Sequence, residues 1–438
     1  MQLWFVALSI AVLVISITKA KLHPFLAFLV TSALAGVLLG LPLASIPATL
    51  ERGLGSTLGP LLGIICLGAM FGKIVAESGA AQRIAAVLIR VFGTARITWA
   101  LLLTGFVVGL PLFYNVGFVL LVPLVFSIAQ QAGLPAIYLG VPLLASLSIT
   151  HGFLPPHPAP TAMVPMFGAR MGTTLLYGLI VATPAMLLAG PLFARAFRNA
   201  PPRPFTMFAP PLRPESELPG AFNCFATTLF PVVMIAISSA VPAGVEHSTT
   251  AMGLASFLTN PLMVMLLSLG LATVTLGTAR GMKVPVLMEH YSSSVKDVAV
   301  ILLIVAGAGT LKQVLVDSGV SKQITVALQG VPLNPLLLGL MIAAVIRVSL
   351  GSATVAGLTA AGIMAPVVAA TGVDGNLMVL AIGAGSLMLS HVNDSGFWMC
   401  KEYFNLSLRE TLLSWTLMEG IVGVAGIISV LILDAVLH

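Results

Sequence analysis

Two polar interruptions inside apolar runs recur about 240 residues later in the chain, and this repeat limits the possible folds more than any other feature. Thr150-His151 returns as Ser390-His391, and Glu77-Ser78-Gly79 returns as Asp317-Ser318-Gly319. A weak repeat of this length in an apolar chain is typical of carriers built from two related halves, which bind their cargo where interrupted helices meet. We therefore expect the matched interruptions to mark the functional site.

The composition places the chain in a membrane. Hydrophobic residues make up 58% of it and charged residues 8%, whereas a soluble domain has about 25% charged residues. The net charge of +6 comes from Arg and Lys in short connections without any basic block, so it indicates membrane orientation and not nucleic-acid binding. Three scattered cysteines predict neither disulfides nor a metal site. The first apolar run lacks a preceding Lys or Arg and predicts an uncleaved span.

The apolar runs predict an all-α polytopic membrane protein. We place complete crossings at about 3–18, 24–42, 56–76, 136–170, 173–194, 223–243, 259–279, 297–316, 376–400 and 411–435. Two further apolar pairs, 98–113 with 116–131 and 334–350 with 354–371, have polar or Gly-rich breaks and no charged loop between their arms. This pattern favours re-entrant hairpins with tips at mid-membrane; the alternative is that each pair forms two ordinary spans.

Arg and Lys are concentrated in alternate connections, so the positive-inside rule predicts that both termini lie outside the cytoplasm. On this layout the two halves insert with opposite orientation and form an inverted repeat, with two hairpins and two broken helices. We divide the chain into an N-terminal half with its preceding span (1–195), a Pro-rich cytoplasmic linker (196–222) and an inverted C-terminal half (223–438).

The two hairpin tips contain candidate substrate-binding residues. The Tyr114 phenol and the Asn115 amide can donate and accept hydrogen bonds, which suits a polyhydroxylated or carboxylate substrate. Asn115 has the alternative role of capping a helix start. The second tip places Gly351, Ser352 and Thr354 at a helix N-terminus, where free backbone N–H groups favour anions.

The two broken crossings contain candidates at matching positions. Thr150 and His151 precede four residues that cannot continue an α-helix, namely Pro155, Pro156, Pro158 and Pro160. His391 and Asn393 lie in the second break. Unwound backbone at mid-membrane supplies free carbonyl and amide groups, so we expect all four polar residues to bind substrate. The alternative for a buried histidine is a structural role.

Charged side chains are costly inside a bilayer, so function is their default interpretation. Asp394 is the only acid in these four segments, and we expect it to take up a coupling proton unless it is a helix N-cap or an ion-pair partner. His151 and His391 are the alternative proton carriers, because histidine titrates near neutral pH. Arg347 has no charged counterpart in the first half. It can bind a substrate carboxylate or pair with Asp394.

Enzyme motifs are absent from the sequence. It contains no phosphate loop, no G-x-S-x-G and no H-E-x-x-H, and His151 with His157 has no third ligand nearby. We therefore expect no catalytic residue, no metal and no cofactor.

The segments at the breaks resemble the gluconate permease family, part of the larger ion-transporter superfamily, and the similarity covers essentially the full length. Its strongest signatures lie at 151–158, 351–356, 390–398 and 401–406. The resemblance implies a bacterial inner-membrane symporter, with periplasmic termini, that imports gluconate or a related sugar acid with protons. It also implies a homodimer in which a hairpin-bearing transport domain moves against a scaffold.

Alternatives within the same resemblance concern substrate and coupling. Family members also transport D-serine and other hydroxy-carboxylates. Several have an acid where this chain has Asn115, which cannot take up a proton, so coupling to sodium in place of protons is the alternative. A passive channel, or a membrane-embedded enzyme using His151, His391 and Asp394, represents a different class of function.

Overall fold

The computed structural model describes residues 2–201, 203, 213–238, 250–320, 333–392 and 394–437. These residues form helices and connections without β-strands, which confirms the predicted all-α class. Within them, nine helices are long and apolar enough to cross a membrane, or ten if one strongly bent pair at 80–109 counts as a span. The chain is therefore a multi-pass membrane protein.

Among the described residues, each half contains a long helix, a hairpin, a broken helix and a further long helix in that order, although an additional helix, Ala80–Phe92, precedes the first hairpin. The first half contains α1 (Gln2–Thr18), α2 (Pro24–Leu38), α3 (Ile46–Glu77), α4 (Ala80–Phe92), α5 (Ile97–Gly109), α6 (Tyr114–Ala132), α7 (Ala136–Phe153), α8 (Pro158–Met166) and α9 (Met171–Leu187). The second contains α10 (Ala221–Ser238), α11 (Thr250–Thr259), α12 (Pro261–Ala272), α13 (Val284–Asp317), α14 (Pro335–Leu350), α15 (Ala353–Thr371), α16 (Gly375–Leu387), α17 (Ser395–Tyr403) and α18 (Leu408–Leu437). The opposite insertion of the halves stays a prediction.

The repeated acid-Ser-Gly triplets end the two longest helices. α3 stops at Glu77 and α13 stops at Asp317, each followed by a serine in helical geometry. The next residues, Gly79 and Gly319, have φ values of 81° and 70°, a left-handed conformation that only glycine adopts readily. The sequence repeat thus encodes the same helix stop twice.

The long helices α3 and α13 extend beyond the crossings predicted at 56–76 and 297–316. They contain 32 and 34 residues, or about 48 and 51 Å at 1.5 Å per residue, which exceeds a bilayer with its headgroups at about 40–45 Å. Gly53 and Gly309 allow them to touch, because a Cβ on Gly53 would lie 2.6 Å from the Gly309 carbonyl oxygen. At one end Asp317 accepts hydrogen bonds from Arg52 (2.7 Å), Thr49 (2.9 Å) and Gln313 (2.7 Å).

The hairpin arms are unequal in length. α5 and α14 have 13 and 16 residues, about 20 and 24 Å, and are too short to cross about 30 Å of hydrocarbon. Their partners α6 and α15 have 19 residues each, which is sufficient for a crossing. The tips are the connection 110–113 and the pair Gly351-Ser352, where Gly351 has a φ of 76°. The mid-membrane depth of these tips stays a prediction.

The described end of the linker lies against α4, a helix within a segment that the sequence analysis treated as a connection. Glu215 contacts Arg83 (3.0 Å) and Arg90 (2.7 Å) of α4. Arg213 donates to the carbonyl of Glu77 at the end of α3 (2.6 Å). The linker is thereby attached to the junction between the first long helix and the first hairpin.

Candidate functional site

Both hairpin tips and both helix breaks line one cavity of about 440 Å³. Small-molecule sites typically have volumes of about 300–1,000 Å³. The sequence-predicted residues on its wall are Tyr114, Asn115, His151, Arg347, Gly351, Ser352, Thr354 and Asp394. The structure thus brings together polar groups from both halves that are widely separated along the chain.

The first tip presents a phenol and an amide at the start of α6. Phe113 is the N-cap residue, so the predicted alternative that Asn115 caps the helix does not describe this structure. Asn115 is exposed on the cavity wall. The Tyr114 ring packs against Phe118 (ring centroids 5.9 Å apart) and Trp415 (5.5 Å), and its hydroxyl has no hydrogen-bond partner among the described residues.

The second tip presents the N-terminus of α15. Ser352 is the N-cap and accepts a hydrogen bond from the Val355 N–H at 3.4 Å. The N–H groups of Ala353 and Thr354 have no intrahelical acceptor, because they lie in the first turn. Both residues line the cavity, so the positive end of the helix dipole faces the space a ligand would fill.

The Arg347–Asp394 pair lies between the second tip and the second break. Arg347 NH2 donates to Asp394 Oδ2 at 2.5 Å, and the two side chains are only 3% and 13% exposed. Asp394 also accepts from the Ser390 hydroxyl and caps α17 through the Gly396 N–H at 3.0 Å. Asp394 is therefore an ion-pair partner and an N-cap, the two alternatives that the sequence left open for it.

Arg347 has further donors that this pair does not use. Its Nε and NH1 atoms are buried and have no hydrogen-bond partner among the described residues. Burying a cationic donor without an acceptor is unfavourable, so these two nitrogens are suited to an anionic oxygen that enters the cavity.

His151 lies in the last turn of α7, where the proline-rich segment stops the helix. Its Nε2 atom is 3.4 Å from the Thr354 hydroxyl, so the first break touches the second tip. Its Nδ1 atom has no partner in the described part of the chain. The His157 ring lies next to it, with the centroids of the two rings 5.3 Å apart. His157 Nε2 is 2.6 Å from the Gly109 carbonyl oxygen, and this contact holds the break against α5.

Two of the predicted binding residues that the structure describes, Thr150 and His391, do not line the cavity. Thr150 is fully buried and donates to the Leu147 carbonyl at 2.9 Å within its own helix. His391 has its Nε2 atom 3.0 Å from the Val348 carbonyl, which connects the second break to α14. Asn393 lies outside the described residues.

Sequence reasoning missed six polar or aromatic wall residues, one on α7 before the first break and the others on long helices. These are Lys73, Ser148, Ser294, Asp297, Trp415 and Glu419. Glu419 is the most notable, because it is a carboxylic acid with 1% exposure inside the predicted crossing 411–435. The cost of a charge inside a bilayer was the signal that could have identified it.

No group of three or more His, Cys, Asp or Glu residues in the described ranges is placed to hold a metal ion. The groups that the cavity wall offers to a ligand are one guanidinium, the Lys73 ammonium, several hydroxyls, an amide and backbone N–H groups, beside the carboxyl groups of Asp297, Asp394 and Glu419. This donor set matches a small molecule with a carboxylate and hydroxyl groups.

Comparison with known proteins gives matches over the whole chain. The sequence model described as "GntP family permease" matches residues 1–436. The high-affinity gluconate transporter of Escherichia coli (strain K12) is 45% identical over 438 residues, and the Gnt-II system L-idonate transporter of the same strain is 44% identical over 441 residues. The gluconate permease of Bacillus subtilis (strain 168) is 40% identical over 447 residues. Each match covers 100% of both chains.

Two solved structures share the fold. The YdaH transporter of Alcanivorax borkumensis has a TM-score of 0.68 at 15% identity, covering 94% of this chain and 98% of its own. MtrF of Neisseria gonorrhoeae has a TM-score of 0.65 at 16% identity, covering 96% of each chain. Such identities establish similarity of fold only.

Proposed function

The chain belongs to the GntP permease family, and from that membership we propose that it imports gluconate or a related sugar acid by proton symport. The family is one of transporters, so the protein is a membrane transporter and not an enzyme. Relatives named for gluconate and for L-idonate, each similar over their full length, support a sugar acid as the substrate class.

The observation that carries this proposal is the unsatisfied guanidinium of Arg347 on the wall of a polar cavity. The carboxylate of a sugar acid would accept from the two nitrogens that lack partners. The N-terminus of α15 would add backbone donors on the same side. The hydroxyl chain would then extend along the amide of Asn115 and the hydroxyls of Ser352 and Thr354, which all line the cavity.

The remaining predicted residues are assigned roles that follow from where they lie. Tyr114 and His151 have unpartnered polar atoms at the cavity and would bind substrate hydroxyls. Gly351 permits the turn that exposes the start of α15. Thr150 and His391 would act indirectly, since Thr150 bonds within α7 and His391 joins the second break to α14.

Coupling to protons requires a titratable group that communicates with the substrate. Asp394, the residue expected from the sequence, is one candidate, because its protonation would release a third nitrogen of Arg347. Glu419, which is buried, and His151, which is partly buried, are further titratable groups on the cavity wall. Proton symport at this cavity predicts that substrate binding and transport depend on pH.

We also propose that the protein lies in the bacterial inner membrane as a homodimer with both termini in the periplasm. The concentration of Arg and Lys in alternate connections supports this orientation. The recurrence of helix order in the two halves supports the inverted repeat. Labelling of single cysteines introduced at each end of the chain, from either side of the membrane, would test the orientation.

The proposed transport is tested with purified protein in proteoliposomes. Labelled gluconate should accumulate against its gradient when the outside is acidic, up to about tenfold per pH unit for one coupled proton. One proton with one monoanion is electroneutral and should generate no current, whereas a second proton adds about 2.3 kcal/mol of driving force per 100 mV.

The controls separate the competing functions. Accumulation driven by a sodium gradient would replace proton coupling with sodium coupling. Gradient-independent equilibration would indicate a channel. Uptake of D-serine or another hydroxy-carboxylate without uptake of gluconate would show that the proposed substrate is wrong.

A further inference from the structure

Glu419 is a buried acid on the cavity wall for which the proposed binding mode has no use. It lies on α18, is 1% exposed, and lines the same cavity as Arg347. Neither of its carboxyl oxygens has a hydrogen-bond partner among the described residues, although Ser148 lies beside it. A carboxyl group in this position is an exception that calls for a function.

The surroundings of Glu419 favour an uncharged acid. An unpaired carboxylate away from water is costly, and such a group avoids this cost by taking up a proton. The charged and titratable groups near it are Arg347, Asp394, Tyr114 and Cys400. Arg347, the one cation among them, already has Asp394 as its counterion.

Asp394 differs from Glu419 in each of these respects. It accepts hydrogen bonds from Arg347, Ser390 and the Gly396 N–H. Protonation would weaken all of these contacts at once, because they are strongest when the acceptor is charged. Protonation of His151 is also unfavourable, because it would place a second cation near Arg347.

We propose that Glu419 binds the proton that accompanies the substrate, while Asp394 stays ionised as the counterion of Arg347. This inference rests on proton-coupled sugar acid transport as proposed above. The carboxylate of Glu419 takes one proton from water on the loading side to become the neutral acid. The same proton leaves to water on the opposite side, and no other bond forms or breaks.

The coupling follows from electrostatics inside one small cavity. An ionised Glu419 would add a negative charge facing the substrate carboxylate, whereas neutral Glu419 would not. Proton and anion therefore favour each other's binding, and by linkage the effect is equal in both directions. Carriers loaded with both, or with neither, are thereby favoured over carriers loaded with one, and symport requires this preference.

The test compares Glu419→Gln with Asp394→Asn in proteoliposomes. Glutamine imitates the neutral acid, so Glu419→Gln should keep gluconate counterflow but lose accumulation driven by a pH gradient. The ratio of inside to outside gluconate should fall from as much as about tenfold per pH unit in the wild type to about one in the variant. Its gluconate Kd should become independent of pH, while the wild-type Kd should rise about tenfold per pH unit once Glu419 ionises. Asp394→Asn should still show pH-dependent binding.

The matched control is Glu402→Gln, which removes an exposed acid paired with Lys401 outside the cavity and should leave both measurements unchanged. Glu419→Asp retains an ionisable group and should keep pH-driven accumulation. Persistent pH-driven accumulation in Glu419→Gln overturns the proposal. So does loss of gluconate binding at every pH in both Glu419 variants, which would assign a structural or binding role. Absence of pH-driven uptake in the wild type would instead refute the proposed proton symport.

Discussion

Replacing Arg347 gives the most direct test of the binding site. Arg347 is 3% exposed, pairs with Asp394 through NH2, and has two further nitrogens without partners among the described residues. If these nitrogens hold the substrate carboxylate, Arg347→Gln should weaken gluconate binding strongly. Arg347→Lys should weaken it less, because lysine keeps the charge but not the planar arrangement of donors.

The magnitude follows from the number of donors lost. A hydrogen bond to a charged group contributes about 1.5–3 kcal/mol, so one or two such bonds correspond to about 1.5–6 kcal/mol. Every 1.4 kcal/mol changes Kd about tenfold. We therefore expect Arg347→Gln to raise Kd by about tenfold to about 10⁴-fold, with about 500-fold at the middle of this range, and Arg347→Lys to raise it about tenfold.

The single substitution also leaves Asp394 as an unpaired buried charge, which destabilises a protein by about 3–5 kcal/mol. The double variant Arg347→Gln/Asp394→Asn removes both charges and avoids this effect. Binding is measured by titration of purified protein with gluconate, alongside Tm, with the exposed Arg90→Gln as the control. A double variant that binds gluconate within about threefold of the wild type would refute the role of Arg347 as carboxylate anchor.

Two further predictions concern the packing that supports the site. A Cβ on Gly72 would lie 2.5 Å from the Pro111 carbonyl oxygen, so Gly72→Ala should displace the first tip and lower both Tm and transport. Gly59→Ala, on the same helix with nothing within 4 Å, should leave transport unchanged and raise Tm slightly, since alanine favours the helix by about 1 kcal/mol. Asp317→Asn should reduce stability by about 1–3 kcal/mol by weakening its contacts with Arg52 and its neighbours, without changing gluconate Kd. Equal loss of Tm in both glycine variants, or a changed Kd in Asp317→Asn, would contradict these interpretations.

Sequence reasoning located the segments of the site because a bilayer penalises unsatisfied polar groups. Backbone that leaves the helical conformation inside a bilayer must face a cavity or other protein. The location of the two tips and the two breaks was therefore strongly constrained. Asn115, His151 and Thr354 come from three of these segments, and all line the cavity.

Side-chain direction was less predictable, since it depends on how each helix is rotated about its axis. Thr150 and His151 are adjacent, yet only His151 reaches the cavity, while Thr150 is buried against its own helix. Helix ends outside the membrane were also missed. The segment from Val284 to the predicted crossing is polar enough to look like a loop, but it continues α13 as a helix.

The two halves share the order of their helices, but they do not share the charged residues Arg347, Asp394 and Glu419. The sequence repeat aligns Arg347 with Val108, which lies 239 residues earlier and is fully buried in apolar surroundings. A second buried arginine there would require its own counterion, because an unpaired charge in a dry interior is strongly destabilising. Arg347, Asp394, Glu419 and Asp297 come from the second half, whereas the first half contributes Lys73 together with neutral donors and acceptors such as Asn115. Because the two halves contribute different charges, the cavity can hold a carboxylate in one orientation. A site with the same charges from both halves would not specify that orientation.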